Sequence, residues 1–521
     1  MTTGARALLR TLLAGGVDVC FANPGTSEMH AVAALDAERG MRGVLTLFEG
    51  VATGAADGYA RMAGRPAATL LHLGPGLGNG IANLHNARRA GSGIVNIVGD
   101  HATDHVQYDA PLQSDISGLA GPVSAWVRHA AGPADVAVDA AAAVAAARAG
   151  QVATLMLPAD ASWSEGAADE PAPIPEHPAP GLGNAEARTA AAAALRSGEP
   201  CLLLLGGDAT RADGLDAAGR IAAATGAKVL VETFPARLER GAGVVAADRL
   251  AYLPDMAAGQ LSGTRHLLLL GARSPVAFFG YPGRRGDLVP EGCHVHAVAG
   301  RTDAAAAALA ELAAEVAPGA VARPAAAHRP ELPTGPLGID TAAAVVGALL
   351  PEGAIVVDEA NTSGLTLPAA TAGAPRHDWL TLTGGAIGWG LPAATGAAIA
   401  CPDRPVWCLQ ADGSAMYTIS ALWTQAREGL DVTTVIYNNA AYAILRLELA
   451  AVGIDAAGAS STARSLLDLD RPRLDFVALA TGLGVPAVRA ETAEELAAAL
   501  TKAAAEPGPH LVEAMVPPLV P

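Results

Sequence analysis

Residues 405–442 read PVWCLQADGSAMYTISALWTQAREGLDVTTVIYNNAAY. One apolar run ends in ADGSA at 411–415, a helical pattern (MYTISALWTQAREG) follows, and a second apolar run ends in Asn-Asn at 438–439. Two buried strands joined by a helix predict a βαβ unit with parallel strands. Because ligands bind beyond the carboxyl ends of such strands, we expect Asp412 and Asn439 to face the same crevice.

The same alternation of short apolar runs and Ala-rich helical stretches continues through all 521 residues. Two Pro-rich stretches, at 170–183 and 322–336, read as exposed linkers. The sequence therefore predicts an α/β protein of three tandem, doubly wound parallel-sheet domains. The predicted domains are 1–169, 184–321 and 337–521.

The composition excludes several classes of protein. A net charge of −17 without a basic cluster argues against a nucleic-acid partner. Five widely spaced cysteines without a CxxC pair indicate neither a disulfide framework nor a zinc site. No apolar run reaches the length of about 18 residues that spans a membrane, and the N-terminus lacks the pattern of a signal peptide. We expect a cytoplasmic protein without membrane contact.

The residues at the two strand ends suit a metal-bridged phosphate. The carboxylate of Asp412, the amide oxygen of Asn439 and the carbonyl of Ala441 are hard ligands of the kind that Mg²⁺ takes. Gly413 and Ser414 open the following helix, where free backbone N–H groups favour anions. Taken singly, Asp-Gly and Asn-Asn are more readily explained as turns.

The spacing of these motifs resembles a known fingerprint. Asp-Gly-Ser, with 24 residues between Gly413 and Asn438, then Asn-Asn, resembles the GDG…NN motif of thiamine-diphosphate enzymes, with Ala411 in place of its first Gly. The three-segment layout resembles the pyruvate-oxidase-type superfamily, which includes acetolactate synthase large-subunit-like proteins and benzoylformate decarboxylase. The resemblance covers nearly the whole chain. It implies a thiamine-diphosphate-binding fold at both ends and an architectural α/β domain in the middle.

The resemblance also assigns residues to the cofactor. Glu49, in FEGVATGAADGYAR, matches the Glu that contacts the aminopyrimidine ring of thiamine diphosphate; a helix cap or exposed loop acid is the alternative. Residues 383–390 resemble the loop under that ring, with Gly385 offering a carbonyl and Ile387 forcing the cofactor to bend. The remaining predicted cofactor-binding residues are Asn361, Thr362, Ser363, Gly413, Ser414 and Tyr442.

On the substrate side, His72 ends an apolar run as an unpaired imidazole and resembles a proton-transfer His of benzoylformate decarboxylase. A core histidine is the alternative. Thr26, in NPGTSE, matches that enzyme's active-site Ser and is predicted to bind the substrate carboxylate. Gln113 is read either as a pocket residue or as a surface residue.

Several features depart from these families. The second His of benzoylformate decarboxylase falls among residues 278–281 (FFGY) and is lost, and Leu445 replaces an acid of pyruvate decarboxylases. A shortage of proton donors favours carboligation over aldehyde release. The Gln-Trp element of acetolactate synthases is absent, and without a flavin-binding signature in the central segment FAD is doubtful.

Two rival hypotheses come from other classes. Gly74–Gly80 (GPGLGNG), with Asp100 at the next strand end, resembles a dinucleotide fingerprint, although Pro75 removes a useful N–H. A noncatalytic paralogue that still binds the cofactor is the other.

The favoured prediction is a Mg²⁺- and thiamine-diphosphate-dependent lyase or transferase that decarboxylates and ligates a small-molecule 2-oxo acid, like acetolactate synthase. A nonoxidative decarboxylase of the benzoylformate type is its alternative. The resemblance further implies a homodimer or homotetramer with active sites at the subunit interface.

Overall fold

The computed structural model describes residues 2–451 and 461–518. Its parallel sheets confirm the predicted α/β class, and helices pack on both faces of each main sheet. The two predicted linkers carry no helix or strand. The domain boundaries themselves stay a prediction. Among the described residues, no helix is both long and apolar enough to cross a membrane.

The N-terminal segment forms a six-stranded parallel sheet. Its elements are β1 Thr2–Thr3, α1 Gly4–Ala14, β2 Val19–Asn23, α2 Met29–Ala37, β3 Arg42–Leu45, α3 Glu49–Ala63, β4 Ala67–Leu71, α4 Leu73–Ala90, β5 Ile94–Asp100, α5 Ile116–Ala120, β6 Trp126–His129, α6 Val136–Arg148, β7 Val152–Pro158, α7 Ala159–Trp163 and β8 Glu165–Ala167. The strand order is β3-β2-β4-β5-β7-β6, while β1 and β8 pair separately. Strands β4, β5 and β7 are buried throughout, because helices cover both faces.

The central segment forms a five-stranded parallel sheet in the order β12-β10-β9-β13-β14. Its elements are α8 Ala185–Arg196, β9 Cys201–Leu205, α9 Ala212–Thr225, β10 Lys228–Val231, β11 Leu238–Arg240, β12 Asp248–Arg249, α10 Pro254–Leu261, β13 His266–Leu270, β14 His294–Ala299 and α11 Ala305–Val316. Strand β11 lies outside this sheet and pairs with the C-terminal one.

The C-terminal segment forms a seven-stranded sheet. Its elements are α12 Ile339–Leu349, β15 Ile355–Glu359, α13 Leu367–Ala370, β16 His377–Thr381, α14 Gly390–Ala400, β17 Val406–Ala411, α15 Asp412–Ala415, α16 Ala421–Glu428, β18 Val432–Asn438, α17 Ala443–Ala451, α18 Ser461–Ser465, α19 Phe476–Gly482, β19 Ala487–Ala490, α20 Ala493–Ala505 and β20 His510–Met515. The order is β11-β16-β15-β17-β18-β20-β19, and only β11 is antiparallel. The single helix predicted between β17 and β18 is instead the short α15, a turn and α16.

Helices α3 and α14 join the N-terminal and C-terminal segments. They approach so closely that a Cβ atom on Gly58 would overlap the backbone of Ala393, and one on Gly396 would overlap the carbonyl of Ala55. The small residues after Glu49 therefore serve close helix packing. This packing brings the start of α3 close to the loop that precedes α14.

Candidate active site

Glu49 is the first residue of α3, four residues beyond the end of β3. Its side chain is buried, and its carboxylate accepts a hydrogen bond of 2.9 Å from Asn79 Nδ2 of α4. The helix N-terminus and the amide donor both stabilise a carboxylate in an apolar setting. The hydrogen bond from Asn79 and the place at a helix N-terminus explain how a carboxylate is tolerated in this buried position.

The sequence suggested an unpaired imidazole at His72, but the structure gives this side chain a partner. Its Nδ1 lies 2.8 Å from Oε2 of Glu28, and Ser27 Oγ lies 3.4 Å from the same nitrogen. Glu28 is buried and also accepts hydrogen bonds from Gly25 N at 2.7 Å and from Ser27 Oγ at 2.8 Å. A proton on Nδ1 that is donated to Glu28 leaves Nε2 free to exchange a proton with a substrate.

His72 seemed unpaired in the sequence because its partner, Glu28, lies 44 residues away along the chain. Glu28 was missed, although its place beyond the end of β2, in NPGTSE, is the kind of position where ligand-facing side chains occur. Thr26 lies on the exposed turn that precedes Glu28. Gly76 lies between Glu49 and His72, since a Cβ there would come within 3.0 Å of Glu49 Oε1 and 3.4 Å of His72 Cβ.

Asp412 and Asn439 lie together at the carboxyl ends of β17 and β18, which are adjacent parallel strands. Asp412 Oδ2 accepts a hydrogen bond of 2.7 Å from the backbone N–H of Ala440, and Asn439 Oδ1 accepts one of 3.0 Å from that of Ala441. Burial raises the pKa of Asp412 to about 6, so a cation would favour its ionised form. Asn438 instead donates to Glu513 at 2.7 Å and supports the turn from behind.

The predicted diphosphate residues surround this pair. Ser363 Oγ lies 3.4 Å from Asn439 Nδ2, and Thr362 is buried beside it, while Asn361 is exposed. Ser414 donates to the Ala411 carbonyl at 3.1 Å. The ring of Tyr442 lies against Gly413 so closely that a Cβ on Gly413 would overlap it.

Backbone strain also concentrates at these positions. Four described non-glycine residues have left-handed φ angles, and three of them flank candidate site residues: Leu73 (47°), Asn361 (51°) and Ala440 (54°). Such conformations cost free energy and are held in place by surrounding structure, most often at ligand sites.

Residues 383–390, which we call the cofactor loop, are held by side chains of α4. His85 Nε2 lies 3.2 Å from the Gly384 carbonyl oxygen, Asn86 Nδ2 donates to the Ala386 carbonyl at 2.8 Å, and Asn83 Nδ2 donates to the carbonyls of Gly50 at 2.8 Å and Gly388 at 3.3 Å. Within the described residues, no donor reaches the Gly385 carbonyl oxygen. That oxygen is therefore available to a ligand.

Comparisons with known proteins agree with this geometry. Models described as the thiamine pyrophosphate enzyme N-terminal and C-terminal TPP binding domains match residues 2–120 and 364–514. The chain is 65% identical to a Mycobacterium tuberculosis protein named "Putative acetolactate synthase large subunit IlvX", with 99% of both chains covered. The chain belongs to the thiamine pyrophosphate (thiamine diphosphate) enzyme family.

Other members of this family are similar over the full length. The benzoylformate decarboxylase of Pseudomonas aeruginosa is 31% identical, with 98% of both chains covered. The solved structure of the thiamine diphosphate-dependent 4-hydroxybenzoylformate decarboxylase of Rhodococcus jostii has a TM-score of 0.86 and 26% identity, with 99% of both chains covered. The chain is thus a thiamine-diphosphate-dependent enzyme of the acetolactate synthase and benzoylformate decarboxylase type.

The residues present fit the cofactor of this family. The ring of Tyr442 fills the space where a side chain at position 413 would otherwise stand, and Asp412 and Asn439 offer two hard oxygen donors beside it. The described residues contain no group of three or more His, Cys, Asp or Glu that could hold a metal ion unaided. A site with so few protein donors suits Mg²⁺, which completes its shell with phosphate oxygens and water.

Glu359, at the end of β15, is a second residue that the sequence interpretation missed. Its buried carboxylate accepts hydrogen bonds from the backbone N–H groups of Gly388 at 2.7 Å, Trp389 at 2.9 Å and Gly390. Burial raises its pKa to about 7, against these hydrogen bonds, which lower it. Glu359 thus anchors the end of the cofactor loop to the sheet that carries Asp412.

The stretch 278–281, where the second His of benzoylformate decarboxylase was expected, carries aromatic residues. Phe278 lies against Gly385, since a Cβ on Gly385 would come within 2.9 Å of the Phe278 ring, and its ring packs edge-on against that of Phe279. Tyr281 donates to Glu448 of α17 at 2.9 Å. This corner offers apolar surface to the cofactor loop rather than a proton donor. Leu445 is exposed nearby on α17.

The glycine-rich rival motif is not a loop in this family member. Residues 74–80 form the first turns of α4, and Asn79 within them binds Glu49. Pro75 sits in the first helical turn, where its missing N–H costs nothing. The nicotinamide interpretation is therefore wrong. Gln113 is partly buried, and its Oε1 finds no donor among the described residues.

Proposed function

We propose that the chain is a Mg²⁺- and thiamine-diphosphate-dependent enzyme that decarboxylates a 2-oxo acid and joins the product to a second carbonyl compound, as acetolactate synthase large subunits do. The observation that carries this proposal is the pairing of a buried Glu49, held by Asn79, with a buried Asp412 and Asn439 at the other parallel sheet. The residue beyond the N-terminal strands suits proton exchange, and the residues beyond the C-terminal strands suit a metal-bound diphosphate.

In this proposal Asp412, Asn439 and the Ala441 carbonyl hold Mg²⁺. Thiamine diphosphate, when bound, supplies an acidic ring carbon that adds to a keto group and an electron sink for loss of CO₂. Glu49 would hold the ring nitrogen of the aminopyrimidine and share a proton with it. The Gly385 carbonyl would accept a hydrogen bond from the amino group of that ring, and Ile387 would pack against the cofactor.

The substrate side would be formed by Thr26 and His72. The Thr26 hydroxyl binds the substrate carboxylate, and His72, oriented by Glu28, exchanges a proton through Nε2. The contact with Glu28 orients the imidazole, so that His72 would be the proton donor that aldehyde release needs. This observation favours a second candidate function, nonoxidative decarboxylation with release of an aldehyde, as in benzoylformate decarboxylase.

A second copy of the chain is part of the proposal. Leu47, beside Glu49, and Leu365 and Tyr417, beside the diphosphate residues, are large side chains left exposed on this chain. Such exposed apolar groups around a site indicate a surface that associates. We infer a homodimer or homotetramer in which Glu49 of the partner subunit faces the cofactor loop. Sedimentation of the purified protein tests this, and an active monomer would contradict it.

The purified chain with Mg²⁺ and thiamine diphosphate should release CO₂ from a 2-oxo acid. Pyruvate and benzoylformate are compared, and the products are identified by chromatography. Acetolactate from pyruvate supports the synthase, and benzaldehyde from benzoylformate supports the decarboxylase. Absence of thiamine-diphosphate binding by calorimetry would refute the proposal. Binding without turnover of any 2-oxo acid would support the noncatalytic paralogue.

A further inference from the structure

Trp389 is the last residue of the cofactor loop before α14 begins at Gly390, and it contacts two buried carboxylates that come from different segments of the chain. Its indole Nε1 donates to Asp57 Oδ2 of α3 at 2.7 Å, and its backbone N–H donates to Glu359 Oε2 at 2.9 Å. All three residues are buried. A buried carboxylate is costly unless donors surround it, so each acid is stabilised by a hydrogen bond from Trp389. The same two bonds hold the indole and the backbone of Trp389 in place.

Arg61 completes the contact from the same helix. It donates to Asp57 through Nε at 2.9 Å and Nη2 at 2.6 Å, and its guanidinium lies 4.4 Å from the centre of the Trp389 ring. It also donates to the Thr381 carbonyl at 2.7 Å and to Thr383 Oγ1 at 3.0 Å. One side chain therefore touches both the beginning and the end of the cofactor loop.

We propose that Trp389 is a positioning residue for thiamine diphosphate: Asp57 and Arg61 lock its indole so that the cofactor loop keeps the shape that presents Gly385 and Ile387 to the cofactor. This inference rests on the proposed role of that loop. The N-terminal segment of a chain then determines how well the C-terminal segment of the same chain holds the cofactor.

The chain contains a matched tryptophan that separates positioning from simple stability. Trp379 of β16 is equally buried, its indole donates to Asp358 Oδ2 at 3.0 Å, and Arg240 lies 5.1 Å from its ring centre. It packs in the core cluster on the opposite face of the sheet from Trp389. Losing its indole N–H removes the same kind of bond without touching the cofactor loop.

The test compares Trp389→Phe with Trp379→Phe in the full-length protein. Calorimetry with thiamine diphosphate and Mg²⁺ gives the Kd, and thermal unfolding of the cofactor-free protein gives the Tm. We expect both variants to lower the Tm. Only Trp389→Phe should raise the cofactor Kd, by about tenfold, the scale of one hydrogen bond to a charged group.

An unchanged Kd in Trp389→Phe, or an equal rise in both variants, would overturn the inference. If Trp389→Phe does not fold, Arg61→Lys takes its place, because lysine keeps the charge but loses the forked contact and the stacking. It should raise the Kd in the same way, and an unchanged Kd would again overturn the inference. A wild-type protein that binds no thiamine diphosphate would refute the proposed function as well, which distinguishes the two failures.

Discussion

The N-terminal and C-terminal sheets present different chemistry at the same geometric place. Beyond the strand ends of the N-terminal sheet lie Glu28, Glu49 and His72, groups that exchange protons. Beyond those of the C-terminal sheet lie Asp412 and Asn439, oxygen donors backed by N–H groups. Parallel sheets fix where a site forms, whereas the residues after each strand decide what it does. On the proposed function, one edge performs proton transfer and the other holds the cofactor.

The sharpest test of this division is Glu49→Gln. We expect turnover to fall by about 10² to 10⁴, the usual range for loss of a general acid or base, while the Kd for thiamine diphosphate stays within about twofold. CO₂ release and calorimetry measure the two quantities. Glu239→Gln, which removes a carboxylate paired with Arg376 at 2.7 Å on β11, is the control and should keep turnover. Loss of cofactor binding in Glu49→Gln would contradict this division, because Glu49 would then also hold the cofactor.

Glu359, at the end of β15 in the C-terminal sheet, should make the free energy of unfolding depend on pH. Its pKa is raised from 4.5 to about 7 in the folded protein, so the folded state binds the proton more tightly. This contribution is complete below pH 4.5 and is lost as pH rises through about 7, by roughly 3 kcal/mol. Urea unfolding of the cofactor-free protein across this window measures it. Glu359→Gln should flatten that slope, and an identical slope in the variant would show that Glu359 is not its source.

Asp412→Asn should act on the cofactor rather than on proton transfer. The Kd for thiamine diphosphate in the presence of Mg²⁺ should rise by at least the 10- to 100-fold that loss of an outer metal contact typically costs, or about 1.4 to 2.8 kcal/mol. Calorimetry with and without Mg²⁺ checks this. Asp340→Asn, an exposed acid on α12, is the matched control. Equal affinities in the two variants would remove Asp412 from the predicted metal site.

Glu28→Gln should give the smallest effect. A neutral amide in place of the carboxylate weakens the bond to His72, because charge-assisted hydrogen bonds are roughly twice as strong as neutral ones. We expect aldehyde release to slow by about tenfold. This is less than the roughly 10² at the lower end for loss of an acid–base group, because the variant perturbs His72 without removing it. CO₂ release should be less affected. Glu38→Gln on the adjoining α2 end serves as control. An equal fall in aldehyde release and CO₂ release would mean that the contact between Glu28 and His72 does not act on aldehyde release specifically.

Much of the fold was predictable because its signals are local. The apolar runs around Asp412 and Asn439 define strands whose ends must be neighbours, and the structure places both residues as that argument requires.

What could not be predicted depends on contacts between distant residues. The Glu28 partner of His72 and the anchoring role of Glu359 follow from the direction of side chains, and nothing in AIVVDE distinguishes Glu359 from Asp358. The stretch 74–80 looked like a loop because of its glycines, yet tertiary packing keeps it helical. The Pro at its third helical position was the one available sign of a helix start.

Strand β11 has a consequence for how the protein could be divided. It leaves the central segment and covers the outer side of β16, with Leu238 opposite Trp379 and Arg240 opposite His377. An uncovered strand edge is a template for pairing with other chains. Excising the central segment would remove this cover and expose the edge of β16. We therefore expect a C-terminal segment prepared without residues 238–240 to aggregate more readily than the whole chain.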